Sequence, residues 1–141
     1  MASTINEIQD EVIDEFGLFG DWMEKYEYII ELGKSLPLIE EGLKDEEHLI
    51  KGCQSKVWLD AGLEEGNVVF TADSDAVITK GIISLLIRVL SNHSPKEVAD
   101  ADLYFIDKIG LKEHLSPTRS NGLVSMIKQM KLYGLALGQL Q

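Results

Sequence analysis

The sequence predicts an α+β fold in which a small antiparallel sheet packs against helices. Three observations carry that expectation. Apolar residues recur at helical spacing behind capping motifs, first in the N-terminal third and again after residue 94. Between residues 54 and 72 the period changes to alternation, interrupted by one turn signal. The segment that follows is apolar around most of its circumference, as a centrally buried helix is. A length of 141 residues with 45% hydrophobic side chains suits one domain with one core, taken as residues 1–141.

The first helix opens at Thr4, with Glu7 completing a capping box, and carries Ile5, Ile8, Val12, Ile13 and Phe16. Gly17 and Gly20 end it. Asp21 with Glu24 caps a second helix, which lines Trp22, Met23, Tyr26, Ile29, Ile30 and Gly33 on one face and stops near Ser35, before Pro37. Residues 38–47, LIEEGLKDEE, read as an acidic surface connection. Val57, Leu59 and Ala61 then alternate with Lys56, Trp58 and Asp60 as a strand; EEGN (64–67) is a turn and VVFTA (68–72) the returning strand. The hairpin so predicted spans residues 54–72, with room for a further short strand just before Cys53.

Ser74 or Asp75 caps the next helix, which runs to about Leu90 and is expected against the hairpin. SPKE (94–97) is a cap with Pro at the first helical position and opens a short helix to about Ala101. Asp102 starts another, with Leu103, Phe105, Ile106 and Ile109 inward and Gly110 as its stop. LSPTRSNG (115–122) reads as a polar break. A final helix carries Leu123, Met126, Ile127, Met130, Tyr133 and Leu137 on one face.

Composition narrows the function. A net charge of −11 argues against nucleic acid, whose phosphates attract basic surfaces. All of the excess sits in residues 1–47, with 14 acids against 3 lysines; residues 48–141 carry 10 acids and 10 bases. That block is either a pair of solvated helix faces or a docking surface for a basic partner. No stretch approaches the roughly 20 apolar residues of a membrane helix. The acidic start lacks the basic and apolar regions of a signal peptide, so a cytoplasmic protein is expected. The single cysteine excludes an internal disulfide and a Cys-rich metal or cluster site. His48, His93 and His114 show no metal-binding spacing, and no glycine-rich phosphate loop is present. Neither a metal nor a cofactor is expected.

The candidate chemistry centres on Cys53, in IKGCQSKVW. A lone cysteine is commonly an inert small hydrophobe. Here Gly52, Gln54 and Ser55 give a loop composition, and Gly52 allows positive φ and close approach. Lys51 and Lys56 lie two and three residues away, where their ammonium groups would favour the nucleophilic thiolate. A cysteine hydrolase would need a base, and His48 and His114 read as surface residues. Asp73 and Asp75 read as charges at the start of the central helix in preference to paired catalytic carboxylates. Arg119, one of two arginines, sits in the polar break, either as a surface residue or free to bind an anion.

Taken together, DWMEKYEYIIELGKSLP, IKGCQSKVWL, FTADSDAVITKGIISLLI and LSPTRSNGLVSMI resemble, in this order and spacing, the SufE-like family of sulfur acceptors in iron–sulfur cluster assembly. The resemblance covers roughly residues 15–135. It implies an α+β fold similar to scaffold proteins of the IscU type. It implies that Cys53 takes a sulfane sulfur from a pyridoxal-phosphate-dependent cysteine desulfurase (of the SufS or CsdA kind), stimulates that enzyme, and passes sulfur to a cluster scaffold of the SufBCD kind. It places the acceptor in a loop sheltered by apolar residues. Asp75 and Arg119 match as candidate loop or interface supports, beside Gly52 and Gln54. No resident cofactor is implied, and the chain would act as an accessory to the desulfurase and not as a stand-alone enzyme. Two other classes stand beside this one: a scaffold or metal-binding module, against which the absence of further cysteines counts, and a regulatory protein in which Cys53 senses oxidants.

Overall fold

The structure is a computed structural model that describes residues 3–140. Among the described residues, seven helices surround a two-stranded antiparallel sheet. Helix α1 (Ile5–Phe16) starts at the predicted capping box, in which Glu7 N donates to Thr4 Oγ1 at 3.1 Å and Thr4 N to Glu7 Oε1 at 3.0 Å. Val12 and Phe16 are fully buried. So is Gln9, which the apolar pattern passed over. Its amide donates to Asp102 O and accepts from Phe105 N, so its polar ends are satisfied while it pins α1 to the later helices. Helix α2 (Trp22–Gly33) is capped by Asp21 as expected. Met23 is not on its inner face: it is 66% exposed, and Ile29 carries the contact with the core.

The hairpin starts three residues later and ends two residues later than its predicted span. Strand β1 (Val57–Glu64) pairs with β2 (Asn67–Ser74), in register from Val57↔Ser74 to Glu64↔Asn67. Glu65 and Gly66 both have positive φ, the two-residue turn whose twist suits a hairpin. The segment before Cys53 forms no strand but one bridge, Leu49↔Trp58, along the free edge of β1. The outer edge of β2 is covered at Ala72 by Leu38 and at Val68 by His93. The acidic connection is therefore more than surface: Ile39 is buried, and its N donates to Ala72 O.

Helix α3 (Val77–Leu90) is the apolar rod at the centre, with ten buried residues; only its first residue, Val77, breaks the pattern at 65% exposure. It packs on β2 and, more extensively, on α2. That crossing is close because both helices present glycine: a Cβ on Gly81 would lie 2.0 Å from Ile29 O, and one on Gly33 would lie 2.9 Å from Gly81 N. Ser74 and Asp75 are not its cap. Ala76 occupies that position, with Ser74 Oγ accepting from Ala76 N. Asp73 is an ion-pair partner of Lys44 and Lys80, tying the connection and α3 to the hairpin. Burial opposes ionisation of Asp73, but Lys44, the Ser74 N–H and Lys80 together outweigh it and hold the carboxyl below its usual range.

Helix α4 (Pro95–Asp100) opens on the predicted Ser94–Glu97 capping box. The stretch from Asp102 divides into two single-turn helices, α5 (Phe105–Lys108) and α6 (Leu111–His114), because Gly110 adopts φ +74 between them. The supposed polar break is the start of the longest helix. α7 (Pro117–Gly138) has Ser116 as N-cap and Pro117 at its first position, a combination that starts a helix as well as it ends one.

Candidate functional site

Cys53 lies between the bridge at Leu49 and the start of β1, on a loop laid across the first turns of α7. Gly52 has φ +93, a conformation that favours glycine, and a Cβ there would also stand 2.6 Å from Ser125 Oγ. The Cys53 thiol donates to Gly122 O at 3.6 Å. Gly122 makes that approach possible, since its missing Cβ would already be 3.4 Å from the sulfur. Two small residues on one face of α7, Gly122 and Ser125, thus form the seat of the loop.

The other end of the loop is tied to the hairpin. Asp75 accepts a hydrogen bond from Lys56 N at 3.0 Å, and Lys56 O accepts from Asp75 N and from Ser74 Oγ. Asp75 is therefore a loop tether and not a helix cap. Gln54 is exposed and Ser55 half-buried.

The electrostatics run opposite to the expectation from Lys51 and Lys56. Both lysines are exposed, and what acts on the Cys53 thiol is burial, which pushes it up from its ordinary value. A half-buried sulfur beside a carbonyl oxygen is best kept neutral. The seated environment therefore favours the neutral thiol over the nucleophilic thiolate.

Arg119 lies in the first turn of α7, exposed, with Nη1 3.4 Å from Tyr26 Oη on α2. It reaches across the α2–α7 junction, and among the described residues its side-chain hydrogen bond goes to Tyr26 and not to Cys53. The other arginine, Arg88, is committed to Glu15. His48 pairs with Asp45 and Asp60, and the hydrogen bond it donates to Asp45 raises its pKa. His114 stacks on Trp22 with ring centroids 4.4 Å apart. Neither imidazole serves as a base for Cys53. Among the described residues no three His, Cys, Asp or Glu side chains cluster as a metal site would require, and no helix is long and apolar enough to cross a membrane. Sequence reasoning missed Ser125 and the seating role of Gly122. The available signal was the pair of small residues in GLVS, at 122 and 125, three apart and so on one helix face.

The model of the family described as "SufE: Fe-S metabolism associated domain" matches residues 10–133. An uncharacterized SufE-like protein of Rhizobium meliloti (strain 1021) is 39% identical over 127 residues, covering 86% of this chain and 91% of that protein. Another, from Rhizobium etli, is 41% identical over 127 residues, covering 86% of each. The solution structure of a hypothetical protein from Thermus thermophilus superposes with a TM-score of 0.78 over 95% of this chain and 97% of that one. At 20% identity that likeness speaks for the fold alone.

Proposed function

The chain belongs to the SufE family of Fe–S metabolism associated proteins, and from that premise we propose that it is a sulfur carrier whose acceptor is Cys53. The observation that carries the reading is a solitary thiol, half-buried on a loop seated against glycine, with no base beside it among the described residues and no second cysteine in the chain. A hydrolase could not work with that set. A carrier needs nothing more, because its donor supplies the activated sulfur.

The step is a thiol exchange. The Cys53 thiolate attacks the terminal sulfur of a donor cysteine persulfide. A new S–S bond forms at Cys53, the donor's S–S bond breaks, and the donor cysteine leaves as a thiolate. No net oxidation occurs. The donor of this chemistry is a pyridoxal-phosphate-dependent cysteine desulfurase, and the recipient a cluster-assembly scaffold. Burial favours the neutral form of the seated thiol, so release of the loop from Gly122 would favour the thiolate that attacks. Seated, it is shielded between deliveries. Asp75 sets the end of the loop that stays fixed to the hairpin. Arg119 positions the surface where α2 meets α7.

The test is labelled-sulfur transfer from cysteine by a purified cysteine desulfurase, run beside peroxide treatment. A carrier acquires label and speeds desulfurase turnover. A redox sensor would form a sulfenic acid with peroxide and acquire no label, which would sink the proposal.

A further inference from the structure

A groove of roughly 670 Å³ opens beside the Cys53 loop. One wall is the chain from Glu46 to Lys51; the other is Ser125, Lys128, Gln129 and Leu132, whose three- and four-residue spacing is one face of α7. Ser125, which abuts Gly52, is thus shared by the groove and the seat of the loop.

The first wall carries an unpaired backbone edge at Leu49, the residue bridged to Trp58. Leu59 N donates to His48 O at 2.9 Å and Ile50 N to Val57 O at 2.8 Å, so His48 and Ile50 turn their backbone groups toward β1. The alternation of an antiparallel pair turns those of Leu49, between them, away. Among the described residues no backbone group pairs with the amide or carbonyl of Leu49. Such an edge is a template for a further strand. The groove is also polarised along its length. Glu46 and Glu47 lie at the end away from the thiol, Lys51 lies two residues from Cys53, and Lys128 lies about a turn along α7 from Ser125. Leu132 adds an apolar side chain that is 45% exposed.

We infer that this groove takes an extended segment of the sulfur-donor protein, which pairs along Leu49 as an added strand. The segment carries an apolar side chain against Leu132, a basic one toward Glu46 and Glu47, and an acidic one toward Lys51 and Lys128. Strand addition supplies affinity through main-chain hydrogen bonds and specificity through alternate side chains. Position ties the occupant to the donor: Lys51 is two residues, at most about 7 Å of chain, from Cys53. A donor cysteine two or three residues beyond the paired stretch would arrive at the acceptor. The inference rests on the carrier reading of Cys53.

The experiment measures amide hydrogen exchange of the full chain, alone and in complex with a purified pyridoxal-phosphate-loaded cysteine desulfurase, beside sulfur loading of Cys53. The expected result is exchange at Leu49 and Lys51 slowed about tenfold or more in the complex. Lys128→Glu should weaken desulfurase binding about fivefold, while Lys108→Glu, outside the groove, should leave it unchanged. If Cys53 is loaded normally while Leu49 and Lys51 exchange as in the free chain and Lys128→Glu binds like wild type, the groove is not the docking site and the carrier reading stands. If the wild-type chain takes up no sulfur at all, the carrier reading falls, and the donor segment with it.

Discussion

Where α2 crosses α3, two glycines let backbone meet backbone, with Ile29, Gly33 and Gly81 buried at the contact. Where residues 51–56 cross α7, two small residues again permit a close approach, but of those six residues only Cys53 brings an apolar side chain to the core, and it is half-buried. The same device serves opposite ends. At the helix crossing, small residues admit a contact that burial then locks. At the loop, they admit a contact held by one thiol hydrogen bond, the Asp75 tether and the fit of Gly52. Few buried contacts mean a low opening free energy, so the loop can open while the core stays intact.

The largest effect is expected where the comparison is broken from the core side. Gly81→Ala drives a methyl group into the Ile29 carbonyl, and because both partners are backbone, relief means separating α2 from α3. A loss of about 3 kcal/mol or more is expected, read as a fall in the urea midpoint. Stability within error of wild type would mean that the crossing is looser than described.

Gly52→Ala tests the loop side. An L-residue at φ +93 costs about 1–2 kcal/mol, and that strain falls on the seated loop alone. Alkylation of Cys53 at neutral pH should rise roughly 5- to 30-fold, with the urea midpoint nearly unchanged. An unchanged alkylation rate would show that the seat does not shelter the thiol.

The pH profile sharpens the same point. The folded thiol is raised by burial, so the seated form holds its proton more tightly than the released form. Seating therefore loses stability as pH rises from the ordinary thiol value of about 8.5 toward the raised one. Alkylation of wild type should show a midpoint above that ordinary value, and Gly52→Ala should bring it back down. A wild-type midpoint below the ordinary value would restore the role that Lys51 and Lys56 have on sequence grounds.

The smallest effect is expected at Asp75. Asp75→Ala removes an exposed acceptor from Lys56 N, a change of about 0.5–1 kcal/mol, and should raise alkylation about two- to fivefold. Asp75→Asn keeps an acceptor oxygen and should stay close to wild type. Equal effects of the two variants would point to charge and not to the tether.

What the sequence makes legible follows the same division. Caps and periodicity depend on neighbours in sequence, so Thr4, Asp21 and Ser94 declare their helices, and the alternation from Val57 declares the hairpin. The Ser–Pro pair at 116–117 is equally plain but ambiguous, since Pro suits the first turn of a helix as well as a break, and the structure decides for the helix. Cys53 stands out by being alone. Its seat does not, because Gly122 and Ser125 lie some seventy residues further on and matter only through the fold. For the same reason the sign of the shift on the thiol is not legible in the sequence. Lys51 and Lys56 are near in sequence, whereas the burial that governs Cys53 comes from α7.

The central claim is that Cys53 carries sulfur, and the mass of the protein after incubation with a cysteine desulfurase and cysteine tests it most directly. The account predicts a gain of one sulfur atom per chain, mapped to Cys53, removed by reductant, and lacking in a Cys53→Ser variant that folds and still binds the desulfurase. Wild-type protein that gains no reductant-labile sulfur, or a Cys53→Ser variant that gains it equally, would contradict the account.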